Sequence, residues 1–173
     1  MTEISDVMNK VNNLSNDVVD ISNNLVAEYC KDLDNWMTTI DNDLRQNNST
    51  SIPNDVIEDY ILNLASILYF TGSAQEDLGV KEDICKSIRA EIYNKVRENA
   101  TGTVADKDTA ATLASQTETI TLSIYSRAYK KVKLRMDAGQ EMLNSLKKIM
   151  NRRIAELDLS NSKYIGGVRN ENV

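Results

Sequence analysis

An all-α fold follows from three features of the sequence: few turn and strand formers, apolar residues at helical spacing, and long stretches without a breaker. One Pro, six Gly and 5% aromatics in 173 residues leave little for the turns and the aromatic or β-branched runs of a strand-rich domain. The apolar fraction, 41%, is spread at intervals of three and four rather than gathered in blocks. The expected architecture is a helical bundle with long amphipathic N- and C-terminal helices, a coiled-coil extension being one option for the first of them. The length suits one ordinary domain. The pattern divides it into a heptad segment over 1–27, a helical domain over 28–159 and a flexible tail over 160–173.

The first helix carries the most regular signal. Ile4, Val7, Val11, Leu14, Val18, Ile21 and Leu25 alternate steps of three and four, which is the heptad seam of a coiled coil. Almost everything between them is polar and rich in Asn, so a helix of modest propensity needs a partner to supply stability. Another copy of the chain is one candidate for oligomerisation along this seam, and the chain's own C-terminal helix is the other. Beyond Leu25 the row Tyr29, Leu33, Trp36, Ile40, Leu44 takes an eleven-residue rhythm, which suits packing into a body.

The polar linker "RQNNSTSIPND" ends that helix, and Asn54 or Asp55 beside Pro53 can start the next. Val56, Ile57, Tyr60, Ile61, Leu64, Ile67 and Leu68 make it the most apolar helix and the expected centre of the core. Gly72 reads as a left-handed stop, "SAQE" as a capping box, and Gly79 as a second stop. A further helix over 80–98 would then bury Val80, Ile84, Ile88, Ile92 and Val96 and end near "NATGT". From Asp106 to Leu159 only Gly139 interrupts the pattern, which predicts one long helix with a kink at that glycine as an option.

That last helix is amphipathic. Tyr125, Ala128, Val132, Met136, Gly139, Leu143, Leu146, Met150, Ile154 and Leu157 fall on one side, while Arg127, Lys130, Lys131, Lys148 and Arg152 gather on the other. From Arg127 to Arg153 there are nine Lys/Arg against Asp137 and Glu141, a net of +7 in a chain of −6, so the remainder carries −13. Three readings stand side by side. The stripe is a solvated face, or it meets the acidic first 60 residues, where twelve Asp/Glu oppose Lys10, Lys31 and Arg45, or it neutralises nucleic-acid phosphates without reading bases. Tyr125 and Tyr129 point to the apolar side and its border, so neither is placed for base stacking.

Several function classes lose their usual residues. There is no His, which removes the commonest general base and the Ser-His and Cys-His pairs. Cys30 and Cys85 stand far apart without companions, as reduced packing residues rather than zinc ligands. "TGSAQEDLG" lacks the Lys-Ser/Thr of a phosphate loop. "ADKD", with Asp106 and Asp108, reads as acids at a helix start, suited to capping and the helix dipole rather than to a metal. No enzyme activity, metal or cofactor is expected. No run of about 18 apolar residues occurs, so no membrane contact is expected. "MTEISDVMNK" lacks a basic head and an apolar core, which places the chain in the cytoplasm.

Four segments resemble the UvsY family of myoviral phage recombination mediators: "EYCKDLDNWM", the aromatic-Gly helix end "LYFTG", "ADKD", and "LNSLKKIMNRRI". They are colinear over roughly residues 25–157, with spacings that differ from the family's. The resemblance implies a small helical homo-oligomer in the host cytoplasm that helps a recombinase load on single-stranded DNA and contacts single-strand-binding protein. The family carries basic DNA-contacting residues on the helix before the aromatic-Gly segment. Here that helix reads "ILNLASILYFTG", and Leu64 and Ser66 are not basic. DNA contact would then pass to Arg127, Lys130 and Lys131. The alternative is a helical protein-interaction module (an adaptor, an inhibitor of a host factor or a virion-associated protein) with no nucleic-acid role.

Overall fold

The computed structural model describes the backbone of residues 2–47 and 51–167, with side chains from Ile4 to Ser160. Among the described residues there are four α-helices and no strand: α1 Thr2–Gln46, α2 Asn54–Asn99, α3 Val104–Ala114 and α4 Gln116–Gly167. The predicted all-α bundle is therefore seen, with α4 packed against both α1 and α2. A coiled-coil extension is not shown.

The chain forms two compact units that do not follow chain order. The first is Met1–Lys31 with Phe70–Arg135, and the second is Asp32–Tyr69 with Met136–Val173.

The second unit is a three-helix bundle around large aliphatic side chains. Leu33 and Ile40 of α1, Ile57, Tyr60, Leu64 and Leu68 of α2, and Leu143 and Leu146 of α4 are buried together. Trp36 packs edge-on against Tyr60 with ring centroids 5.9 Å apart. The Tyr60 hydroxyl donates a short hydrogen bond to Asp43. Burial, with this carboxylate second, pushes the Tyr60 phenol up to about 12. Arg153 closes the bundle end, its Nη1 donating to the Ile52 carbonyl and to Asn54 Oδ1, both at 2.7 Å. Gly139 lets the helices approach closely: a Cβ there would meet Leu68 Cδ2 at 2.9 Å and Leu33 Cδ1 at 3.1 Å.

In the first unit the buried set is mostly small: Ser22, Val26 and Cys30 of α1, Thr71 and Leu78 of α2, Ala111 and Ser115, and Ala128 and Val132 of α4. Lys81 Nζ donates to the Tyr29 hydroxyl at 2.9 Å, and this hydrogen bond is the main cause of its raised pKa. The α2–α3 turn is where the chain most clearly dictates its own path. Gly102 has φ of 110°, a region that suits glycine. Thr103 then caps α3 reciprocally: its backbone N–H donates to Asp106 Oδ2 at 2.9 Å and the Asp106 N–H returns a bond to Thr103 Oγ1.

Several expectations are corrected. Gly72 and Gly79 do not stop a helix, because α2 runs unbroken through both. Leu78 is buried beside Gly79, which lies against the Tyr129 ring, and such packing outweighs a propensity cost of about 1 kcal/mol per glycine. The helix foreseen from Asp106 is broken at Ser115, not Gly139. Ser115 ends α3 by donating its N–H to the Ala111 carbonyl, and its own carbonyl accepts from the Thr119 N–H. Val80, Ile84 and Ile88 are exposed rather than core. At the C-terminus the backbone is helical to Gly167, past Leu159; residues 168–173 of the expected tail lie outside the described residues.

Candidate functional site

The basic residues singled out by the sequence fall into separate groups. Arg127, Lys130 and Lys131 belong to the first unit, and Lys148 and Arg152 to the second. They also differ in what they do.

In the first unit Arg127 and Lys130 point to solvent, and neither has an ion-pair partner among the described residues. Lys131 is half-buried, and its Nζ donates to Asn23 Oδ1 at 2.6 Å and Ser22 Oγ at 3.4 Å, tying α4 to α1. Its neighbours are neutral oxygens, not the acidic surface weighed as its partner. Lys133 and Arg135 are exposed too, and extend the cationic surface beyond Arg127, Lys130 and Lys131. The signal for them was present: "RAYKKVKLR" holds five cations and no acid. On a helix this places Arg127 three and four residues from Lys130 and Lys131, and Lys131 four from Arg135. Each such like-charge pair costs a few tenths of a kcal/mol. The helix tolerates the crowding, and an anion laid across it would relieve it. The same unit exposes Phe70 of the "LYFTG" segment, at 67%.

In the second unit the charges are more engaged. Arg152 lies 3.7 Å from Glu156 one turn on, both exposed, an arrangement of small energetic weight. Arg153 is committed to the Ile52–Asn54 turn. Lys147 and Lys148 are exposed.

The acids of "ADKD" have structural duties. Asp106 caps α3, and the Thr103 hydroxyl and N–H hold its carboxyl below the usual carboxylate range. Asp108 accepts from Arg97 Nε at 2.6 Å and from the Tyr93 hydroxyl at 3.3 Å. No group of three or more metal-ligating side chains occurs among the described residues. No helix among them is long and apolar enough to cross a membrane. Cys30 is buried and Cys85 half-buried, and neither is in a disulfide.

The heptad seam is outward-facing. Ile4, Val7 and Val11 are 71%, 62% and 58% exposed, Leu14 and Ile21 are exposed as well, and Val18 and Leu25 are half-buried. The row that α1 buries within its own unit is Ser22, Val26, Cys30, one position round from the seam. No protein family, curated protein or solved structure was found to match the chain.

Proposed function

We propose that this chain is a non-enzymatic, oligomeric protein that binds single-stranded nucleic acid without sequence preference, in the manner of a phage recombination mediator that works beside a recombinase and a single-strand-binding protein. The observation that carries the reading is the acid-free run Arg127–Arg135, with Arg127, Lys130 and Lys133 exposed and without ion-pair partners among the described residues. Such a surface binds phosphates through counterion release. Exposed Phe70 in the same unit offers a face on which a base can stack, which favours a single strand over a duplex. Lys131 is a packing residue in this reading, since its ammonium already holds α1.

The test is binding of a labelled single-stranded oligonucleotide across a salt series. Arg127→Glu with Lys130→Glu weakens binding at low salt by at least about tenfold and flattens the salt slope by about 1.4, with helicity unchanged. Phe70→Ala weakens binding and leaves the slope as it was. Affinity untouched by the double change, or indifferent to salt, overturns the reading. A protein-interaction module is the second reading, and the row Val80, Ile84, Ile88 favours it. These side chains are exposed at four-residue intervals on α2, the spacing with which a helix enters an apolar groove.

A further inference from the structure

We propose that residues 4–21 of α1 pair antiparallel with the same residues of a second copy of the chain. The inference deepens the oligomeric part of the proposed function and is independent of its phosphate-binding part.

The seam's spacing comes first. Ile4, Val11 and Val18 occupy one core position of the heptad, and Val7, Leu14 and Ile21 the other, so the row is built to sink into a facing helix. Among the described residues no helix covers this row, as the exposure of Ile4, Val7, Val11, Leu14 and Ile21 shows. A single register matches the whole row to itself in reverse: Ile4 opposite Ile21 of the second copy, Val7 opposite Val18, Val11 opposite Leu14, and the same layers repeated by symmetry.

Charge selects the direction. The flank beside the seam carries Lys10 and Asp17 one heptad apart. Reversing one helix brings equivalent flanks together, and in the matched register Lys10 falls about two residues, or ~3 Å of helix rise, from Asp17 of the other copy. This opposite-charge contact occurs twice. Parallel pairing instead sets Lys10 against Ser15 and Asp17 against Ser22 of the other copy. That arrangement forms no ionic contact, and Ser22 is already buried in its own chain. Parallel helices would also bring two copies of the packing around Ser22, Val26 and Cys30 to the same end, where antiparallel helices hold them at opposite ends.

Sedimentation equilibrium at low salt tests the proposal on the full chain. Lys10→Glu and Asp17→Lys should each weaken self-association about tenfold. Both together should return it to within about threefold of the original. Single changes without effect, or a double no better than the singles, overturn the antiparallel register. A monomer at every concentration overturns pairing altogether. Orientation is read separately in a Cys85→Ser background, the remaining Cys30 being buried. Ile4→Cys chains mixed with Ile21→Cys chains should form the mixed disulfide, whereas Ile4→Cys linking to itself means parallel helices. A monomer that still binds strands removes the pairing alone, and a dimer that binds none removes the phosphate reading alone.

Discussion

The two units use the same helices in opposite ways. The second buries its large side chains, with Leu33, Ile40, Ile57, Leu64 and Leu146 fully inside. The first buries mostly small ones (Ser22, Cys30, Thr71, Ala111, Ser115, Ala128) and turns Ile4, Val7, Val11, Val80, Ile84 and Ile88 outward. A unit that closes its own core needs no partner. A unit with small residues between its helices and aliphatic rows outside is held by close approach, and its hydrophobic potential is left for another surface. The acid-free basic run lies in that same unit. The contrast puts the closed core of large side chains in one region, and the exposed aliphatic rows and the basic run in the other.

The largest test of the contrast compares Leu64 with Val11. Leu64→Ala removes a fully buried core side chain and should cost about 3 kcal/mol in chemical denaturation. Val11→Ala changes an exposed residue and should leave a dilute monomer within about 0.5 kcal/mol of the original. Equal losses would mean that the seam is core within one chain.

The two helical glycines should respond with opposite signs. At Gly139 a methyl group would meet Leu68 Cδ2 at 2.9 Å and Leu33 Cδ1 at 3.1 Å, so these core side chains must shift, and Gly139→Ala should destabilise by about 1 kcal/mol after the helix-propensity gain. At Gly79 the nearest atom is Tyr129 Cε2 at 3.5 Å, an ordinary contact, so Gly79→Ala stabilises by about 0.5–1 kcal/mol. Thermal melts of the two variants decide it.

The smaller contrast is in pH. Tyr60 of the second unit has its folded pKa raised, so its contribution is complete below 10 and is lost as pH climbs toward about 12. Tyr60→Phe should abolish that alkaline fall in melting temperature. Asp106 of the first unit has its folded pKa lowered. Its cap therefore holds above the usual aspartate range and is lost as pH falls through the lowered value. Protection of the amides over 104–107, taken relative to their intrinsic exchange rates, should fall in acid, and Asp106→Asn should remove that dependence.

Local features were legible without any structure. The seam, the core row of α2, the apolar face of α4 from Ala128 to Met150 and the turn at "NATGT" rest on periodicity and on residues a few places apart. The continuity of α2 was not legible, because a glycine's local cost is small beside packing contributed by α4. Nor was the break at Ser115 legible, since Thr, Ala and Ser around it carry no strong stop signal.

Among the cations the division is plainer still. The sequence by itself determined that the chain is helical, the apolar rows of its helices and the gathering of positive charge on α4. Only the tertiary structure decided which of those charges remain exposed. Lys131 is taken by Asn23, 108 residues away, and Arg153 by Ile52 and Asn54, while Arg127 and Lys130 face water. Spacing along one helix sets the direction in which a side chain points. What it meets there depends on the register of a different helix, through contacts distant in sequence.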